Sequence, residues 1–380
     1  MENNKKLSLW ESAAIITGYG IGGGVMAMPY LAERNGLPMA FLILTIAFFS
    51  SVILHLMIAD MCLKTGSDSQ MIGLFSKYVF VGKFKKAMTV TFFVIMLLVL
   101  LTNLATYIAG AQEIITPLTG ISPFIAKVLF YIVAAAVALF GLKVLGISEK
   151  YAVGVIYILV FTLAGFSFFH ISRPLPFRPG TVNQGLAYFG MAMFSFSAFF
   201  SVPQAVTGLD GDVKQIRKAI TIGMLNNYIL IVVITISALL SSTEVTQVAM
   251  VGWSRGIGSW AEIVGSVFTL LAMLTTYWSI SLALADIIRE QTNWNDKISW
   301  VAATVPSILI TFIDMGGFME FMRLAGGLIA IIIALMVVPA YRKSRREEGE
   351  GLLKNWGCTA MQVFIIIAYI FMAVGNVVTV

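Results

Sequence analysis

Long runs of apolar residues alternate with short polar segments along the whole 380-residue chain. About 20 consecutive apolar residues are enough for a helix to cross the hydrocarbon core of a membrane. The pattern predicts eleven spans, at approximately 9–33, 37–62, 84–116, 122–144, 149–170, 185–208, 214–241, 258–289, 297–314, 318–341 and 356–378. The chain is therefore predicted to be an all-α membrane protein with eleven transmembrane helices.

The composition agrees with a protein that lies in a lipid bilayer. Hydrophobic residues make up 59% of the chain and charged residues only 12%. A soluble domain of this size would carry more charge on its surface. The net charge of +6 comes from loop residues, and no basic stripe is interleaved with aromatic residues, so nucleic acid is not an expected partner. Nothing in the sequence indicates an obligate protein partner.

Lysine and arginine are distributed unevenly between the two sets of loops. Of the 25 basic residues, 19 fall in one set and 6 in the other, namely Arg34, Lys127, Arg173, Arg178, Arg255 and Arg323. Cytoplasmic loops carry the excess of positive charge. The N-terminus is therefore predicted to be cytoplasmic and, with an odd number of spans, the C-terminus extracytoplasmic. The expected location is the inner (plasma) membrane of a cell.

Two of the predicted spans carry signals of an interrupted helix. The first contains TGYGIGGGVMAMP, which begins at Thr17 and includes five glycines. Each glycine destabilises a helix interior by ~1 kcal/mol relative to alanine. The sixth span reads FGMAMFSFSAFFSVPQ, where Ser195 and Ser197 interrupt the phenylalanines and Pro203 follows. Unwound backbone at membrane depth is tolerated only inside protein or beside a water-filled cavity, so both places are candidate sites for a polar ligand.

The two interruptions lie about 176 residues apart, and spans two to five match spans seven to ten at a similar offset. Because five is odd, the second set must be inverted in the membrane. We therefore predict a 5+5 inverted repeat, with residues 9–170 as the first five helices, 185–341 as the second five and 356–378 as an additional helix. Inverted repeats with broken helices are typical of secondary transporters, which bind substrate near the bilayer midplane.

Three segments carry a resemblance to a known family: GYGIGGGVMAMPYLAERNG, FSFSAFFSVPQ and LLAMLTTYWSISLALAD. They resemble the amino acid/auxin permease branch of the amino acid–polyamine–organocation superfamily, and within it the bacterial aromatic amino acid permeases. The resemblance extends from Ser8 to about Tyr341. It implies the fold of the bacterial leucine transporter (a LeuT-like fold) with helices 1 and 6 broken, and transport of an amino acid by alternating access.

A free amino acid presents a carboxylate and an ammonium group, and both are expensive to desolvate. The backbone N–H groups of Gly22, Gly23 and Gly24 are predicted to bind the carboxylate, because a helix N-terminus has unpaired donors and a partial positive charge. Tyr107 in span three is predicted to reach the same carboxylate. The glycine spacing also fits a close helix-packing face, and this alternative stays open.

Backbone carbonyl groups freed at the two breaks are predicted to bind the ammonium group. They are those of Thr17, Gly18, Phe194, Ser195 and Ser197, and the last three align by resemblance with the amine-binding segment of the family. Phe194, Phe196, Phe199 and Phe200 are predicted walls of the side-chain pocket. These residues favour a neutral L-amino acid with a large or aromatic side chain as the substrate.

Span eight contains Ala272, Thr275 and Thr276 at the spacing that, by resemblance, completes a sodium site in sodium-coupled members of this fold. The remaining ligands would be carbonyl groups of Thr17 and Gly20. Uncharged oxygen ligands suit a small monovalent cation. The resemblance therefore favours Na⁺ as the coupling ion, and no organic cofactor is expected.

Proton-coupled symport is the alternative that the sequence leaves open. It requires a titratable group within the membrane, and the candidates are His55, Asp60 and Glu113. One proton-coupled type of this fold carries a lysine within span five. The corresponding segment here, VGVIYILVF, has none, so that mechanism is disfavoured.

A gate is implied by resemblance at the cytoplasmic side. Lys6 and Trp10 precede span one and Asp286 ends span eight, so an ion pair between Lys6 and Asp286 would close the cytoplasmic vestibule. The alternative is that these are ordinary charges on solvated loops.

Other classes of protein find little support in the sequence. Two histidines and two separated cysteines do not form a usual zinc site, and no HExxH, nucleophile-elbow or Walker sequence occurs. An enzyme is therefore not expected. An amino acid-sensing receptor on the same scaffold is the alternative class, and it would usually add a soluble signalling domain.

Overall fold

The computed structural model describes residues 6–66, 68–312, 332 and 336–378, which form α-helices joined by loops. Within these ranges no strand occurs. The helices are α1 (Leu9–Gly20), α2 (Gly23–Asn35), α3 (Leu37–Thr65), α4 (Met71–Tyr78), α5 (Lys85–Thr119), α6 (Pro123–Leu139), α7 (Leu142–Ser167), α8 (Val182–Ser195), α9 (Val202–Gly208), α10 (Val213–Ser241), α11 (Ala249–Ile257), α12 (Ser259–Thr292), α13 (Asp296–Ile310), α14 (residues 336–348) and α15 (Thr359–Val377).

Capping residues start both of the helices that precede a break. Ser8 accepts a hydrogen bond from the backbone N–H of Glu11, whose carboxylate in turn accepts from the Ser8 N–H at 2.7 Å. Thr181 and Gln184 form the same reciprocal pair at the start of α8. A capping box satisfies two N–H groups that the first helical turn leaves unpaired. The positions of α1 and α8 in the chain are thus determined by local sequence.

The long helices divide into a buried centre and an apolar periphery. In the most apolar stretches of Val182–Gly208 and Ser259–Thr292, 78% of residues are buried, against 33% in α15 and 39% in α5 and α7. Large apolar side chains such as Leu98, Ile132 and Ile158 lie exposed on the peripheral helices. Exposed apolar surface of this extent suits contact with lipid. The segment α8–α9 and helix α12 therefore form the centre of the bundle.

Seven helical segments of the described chain are long and apolar enough to cross a membrane, taking Val182–Gly208 as one. Helices α1 and α2, which bend by 57° at their junction, make a further span when taken together, and α6 is a shorter apolar helix. Most of the predicted tenth span, 318–341, lies outside the described residues. The total of eleven spans and the inverted repeat remain predictions.

The boundary between spans four and five differs from the prediction. Helix α6 ends at Leu139 and α7 begins at Leu142, not at residue 149. Gly141 separates them with a φ of 84°, a conformation that residues with a Cβ rarely adopt. Glu149, the first residue of the predicted fifth span, therefore lies in the third turn of α7 and is completely buried. The short helices α4 and α11 had no counterpart in the prediction.

Candidate functional site

The first break separates α1 from α2. Helix α1 ends at Gly20, and Gly22 precedes α2 without a side-chain cap. The break is packed closely: a Cβ on Gly20 would collide with the Asn227 amide, and one on Gly24 would lie 2.6 Å from the Ser195 hydroxyl. Close packing and an unwound backbone therefore occur at the same glycines.

The second break follows Ser195, where α8 ends, and residues 196–198 are not helical. A 3₁₀ turn, Phe199–Ser201, leads into α9. The Ala198 N–H donates to His55 Nε2 at 3.1 Å, and His55 Nδ1 lies 2.6 Å from the Ser51 carbonyl. Because Nε2 accepts, the ring proton lies on Nδ1, so both nitrogens of a neutral imidazole are used. His55, a candidate proton carrier, satisfies a backbone group at the break instead.

A small cavity of about 20 Å³ lies between the two breaks and α5. It is lined by seven of the predicted substrate residues and by three that were not predicted to bind substrate. The seven are Gly22, Gly23, Gly24, Tyr107, Phe194, Ser195 and Ser197, and the three are Tyr19, Gly20 and Asn103. We call this space the central cavity. Its position gives backbone from both broken spans access to one ligand.

Two side chains of α5 face the central cavity. The Tyr107 hydroxyl interacts with the backbone of Gly23 and with Thr276, so it lies at the N-terminus of α2. Asn103, one helical turn earlier, is buried, and its Oδ1 has no hydrogen-bond partner among the described residues. In the sequence, only its position four residues before Tyr107, on the same face of the helix, indicated that Asn103 would lie near the site.

Five of the predicted substrate and pocket residues do not line the central cavity: Thr17, Gly18, Phe196, Phe199 and Phe200. The Thr17 carbonyl accepts from the Ile21 N–H at 3.0 Å, because α1 stays helical as far as Gly20. The Gly18 carbonyl accepts hydrogen bonds from two threonine hydroxyl groups of α12. Phe196 packs edge-on against Phe48 of α3, with ring centres 5.9 Å apart. In this structure the predicted binding of the ammonium group by Thr17 and Gly18, and the predicted walls at Phe196, Phe199 and Phe200, therefore have no support from the cavity lining.

A second polar cluster lies where α12 crosses the first break. The hydroxyl groups of Thr275 and Thr276 each donate to the Gly18 carbonyl at 3.1 Å. Both hydroxyl groups also lie 3.0 Å from the Ala272 carbonyl, and that of Thr276 lies 3.4 Å from the Tyr19 carbonyl. We call these five residues the cation cluster. The predicted ligands Thr17 and Gly20 contribute to none of these contacts, and Gly18 and Tyr19 take their place.

Glu149 reaches the cation cluster from α7. Its Oε1 accepts from the Ser279 hydroxyl at 2.7 Å, and its Oε2 has no hydrogen-bond partner among the described residues. A Cβ on Gly18 would collide with Oε2, so the carboxyl group lies directly against the first break. The prediction missed this residue because it placed the start of span five at 149 rather than just after Gly141.

The other acidic candidates lie elsewhere. Asp60 pairs with Lys64 at 2.9 Å and accepts from the Leu352 N–H at 2.6 Å. Glu113 is exposed in the last two turns of α5. Neither lines the central cavity.

The predicted gate residues have other contacts. Lys6 lies 3.3 Å from Asp210, and Asp286 pairs with Arg289 at 2.8 Å. Trp10 is 61% exposed. Because Lys6 and Asp286 each have a different ion-pair partner, this arrangement does not contain the predicted pair. Lys6 and Asp210 are both well exposed, and such pairs contribute little to stability.

A larger cavity of about 360 Å³ opens at the end of the bundle where α1 begins and α12 ends, and we call it the vestibule. Asp286, Arg289 and Trp300 line it. So does Gln204, which is almost fully buried and donates to the Ser279 carbonyl at 3.0 Å. Since the Ser279 hydroxyl bonds Glu149, polar side chains connect the vestibule with the cation cluster.

The fold is shared with solved membrane transporters. MhsT, solved in complex with L-phenylalanine, aligns with a TM-score of 0.68 and 16% identity, covering 98% of this chain and 99% of MhsT. Mhp1, a nucleobase-cation-symport-1 family transporter solved in a closed conformation with bromovinylhydantoin bound, aligns with a TM-score of 0.70 and 12% identity, covering 99% and 92%. The protein therefore shares the all-helical, LeuT-like fold of these two structures.

The sequence identifies the family to which the protein belongs. Residues 5–376 match the tryptophan/tyrosine permease family, and the chain belongs to it. A relative from Aliivibrio fischeri, glutamine transporter 2, is 23% identical over 363 residues, which cover 90% of this chain and 91% of the relative. These findings confirm the resemblance to aromatic amino acid permeases, and the family and its relatives are transporters rather than enzymes.

Proposed function

We propose that the protein is a secondary active transporter that moves a neutral, large or aromatic L-amino acid inward by symport with a cation. The observation that carries this proposal is the central cavity, where glycine backbone at the N-terminus of α2 meets the end of α8 and the polar groups of α5. A helix N-terminus suits a carboxylate. The family, the glutamine transporter and the phenylalanine complex of MhsT support an amino acid as the substrate.

Each charged group of the amino acid has a proposed partner. The carboxylate would bind the amides of Gly22, Gly23 and Gly24 and the Tyr107 hydroxyl. The ammonium group would bind backbone carbonyls at the second break, with Asn103 Oδ1 as an additional acceptor. Phe194 would contact the substrate side chain.

The central cavity must widen before it can hold an amino acid, because about 20 Å³ corresponds to roughly one water molecule. The segments α1–α2 and α8–α9, which meet at the cavity, are the ones whose separation would open it. We propose that their rocking gives alternating access. The vestibule would then be the cytoplasmic exit, with the N-terminus cytoplasmic and the protein in the plasma membrane.

The proposed 5+5 inverted repeat is supported by matching helix lengths. Helices α3 and α10 have 29 residues each, and α5 and α12 have 35 and 34. The short helices α4 and α11 follow α3 and α10 at corresponding positions. An inverted repeat would relate the two breaks by a pseudo-twofold axis.

The coupling ion is proposed to bind at the cation cluster. Sodium is the ion that the family resemblance favours, with oxygen ligands from Gly18, Tyr19, Ala272, Thr275 and Thr276. A proton is the second candidate, and the observation that favours it is the buried carboxyl group of Glu149 beside the same cluster.

Uptake by purified protein in proteoliposomes tests the proposed function. We expect accumulation of labelled tryptophan, tyrosine, phenylalanine or glutamine under an imposed cation gradient, with no added ATP. Replacing sodium with choline at constant pH, and imposing a pH gradient without sodium, separates the two ions. Absence of uptake of any of the common amino acids under both gradients would contradict the proposal.

Replacing Tyr107 with phenylalanine should weaken binding of the amino acid by roughly 10- to 100-fold. The variant loses a hydrogen bond to a charged group, which contributes about 1.5–3 kcal/mol. Tyr151, which is 67% exposed on α7, provides the matched control Tyr151→Phe. Competition binding with labelled substrate measures the effect, and equal affinities for both variants would show that Tyr107 does not bind the carboxylate.

A further inference from the structure

A carboxyl group is buried at the core of this bundle with no charged partner among the residues that the structure describes. Glu149 is 0% exposed, and within these residues only the Ser279 hydroxyl bonds its side chain, through Oε1. No ion pair among the described residues includes Glu149. Burying an ionised carboxylate without a counter-charge costs several kcal/mol even after the protein relaxes. A charged Glu149 therefore requires a positive partner from outside its immediate surroundings.

The helices packed against α7 do not provide that partner. On α7 itself, Lys143 is already paired with Glu11 at 2.7 Å, and it lies six residues from Glu149, roughly 9 Å along the helix. Lys150 follows Glu149 directly but is exposed. The charged residues of α6, α10, α11 and α12 lie in the terminal two turns of those helices.

The backbone around Glu149 adds negative rather than positive potential. Its Oε2 lies against Gly18, near the C-terminal end of α1, where a helix carries a partial negative charge. The neighbouring cluster consists of carbonyl and hydroxyl oxygens. Oxygen atoms around a carboxylate form a site for a cation and not for an anion.

We propose that Glu149 is the anionic ligand of the coupling cation. The cation, either a proton or a sodium ion, binds at its carboxylate beside the cation cluster and neutralises it. Gln204 and Ser279 form the polar connection by which the cation passes between Glu149 and the vestibule. This inference rests on the proposed symport function and adds the residue that couples ion to substrate.

The buried charge also explains how coupling would be enforced. With the cation bound, the site is neutral and the two broken spans can close around substrate. Without it, closure buries a bare carboxylate, and the associated free-energy penalty suppresses movement of substrate alone. Replacing the carboxylate with a neutral group of the same shape should remove the penalty and the ion requirement together.

Glu149→Gln tests this directly, since glutamine keeps an acceptor for Ser279 without the charge. Wild-type protein in proteoliposomes should accumulate substrate about tenfold under a tenfold gradient of its coupling cation. We expect the variant to equilibrate substrate to a ratio of about 1 and to exchange it at a rate that no longer responds to sodium or pH. Glu113→Gln, which removes an exposed carboxylate of α5, is the matched control and should accumulate substrate as the wild type does.

The two arms of the assay, a sodium gradient at constant pH and a pH gradient without sodium, distinguish the two cations. Loss of accumulation by Glu149→Gln, but not by Glu113→Gln, in the arm that drives the wild type supports the proposal. Accumulation by Glu149→Gln equal to that of the wild type would overturn it. If the wild type itself transports nothing, the proposed function fails instead.

A stability measurement keeps the test independent of transport. A bound cation raises the melting temperature of the folded protein by an amount that grows with the logarithm of the cation concentration divided by its dissociation constant. The wild type in detergent should be stabilised by its coupling cation, and Glu149→Asp, which keeps the charge on a shorter side chain, should need roughly tenfold more cation. Identical dependence in the wild type and both Glu149 variants would overturn the proposal.

Discussion

Replacing Gly22 with leucine is expected to abolish amino acid uptake while leaving the protein folded. A Cβ at this position would lie 2.7 Å from the Tyr107 hydroxyl and 2.9 Å from Thr276 Oγ1, and the rest of the leucine would fill the space at the N-terminus of α2. The proposed carboxylate site would then be occupied. We expect an affinity loss of at least about 100-fold, equivalent to roughly 2.7 kcal/mol, in binding assays with labelled substrate.

Two other glycines provide controls for this substitution. Gly154 has no neighbouring atom within 4 Å of an added Cβ, so Gly154→Leu should transport normally. Gly256 packs directly against the Ser241 carbonyl, so Gly256→Leu should reduce the yield of folded protein. Monodisperse Gly22→Leu protein with no binding would separate loss of the site from misfolding. Near-normal affinity of that variant would place the carboxylate elsewhere.

The sequence predicted the breaks because their cause is local. Several glycines close together destabilise a helix interior, so the interruption after Gly20 follows from the local sequence. The apolar runs likewise defined most spans to within a few residues. Gly22 was predicted from this local signal and Ser195 with the help of the family resemblance, and both line the central cavity.

The sequence could not predict which groups meet across the bundle. Asn103 and Glu149 are brought to the breaks by the packing of α5 and α7, which no local pattern encodes. The error at Glu149 had an identifiable origin, because Gly141 was read as part of span four although its positive φ separates two helices. For Phe196 the position of the break was predicted correctly, but the side chain packs against Phe48 and does not line the central cavity.

The predicted gate pair is not formed in this structure, for a related reason. Lys6 and Asp286 lie at the same end of the bundle, as the spans require, but several charged groups compete for each of them. Asp210 and Arg289 are the partners in this arrangement. The sequence can place charges on one membrane face, whereas the pairs they form depend on the packing of the helices that carry them.

Replacing His55 with leucine is expected to destabilise the folded protein by about 2–3 kcal/mol, with a large loss of folded transporter. The substitution leaves the Ala198 N–H at the second break without the acceptor that His55 Nε2 provides. A buried donor without a partner costs about 1–3 kcal/mol. At membrane depth, water cannot replace the missing acceptor. Thermal unfolding in detergent, followed by size-exclusion chromatography, measures the loss.

Comparison of His55→Leu with His55→Gln distinguishes a structural role of His55 from a role in carrying a proton. His55→Gln places an amide oxygen near the Nε2 position and should recover most of the stability and the ion-driven uptake. The His170 side chain is exposed and, within the described part of the chain, contacts only the Phe166 carbonyl of its own helix end, so His170→Leu should have almost no effect. If His55→Gln were stable yet failed to couple uptake to the ion, His55 would be part of the coupling machinery. Recovery of both properties by glutamine, which does not titrate, would exclude His55 as the proton carrier and leave Glu149 as the proposed coupling residue.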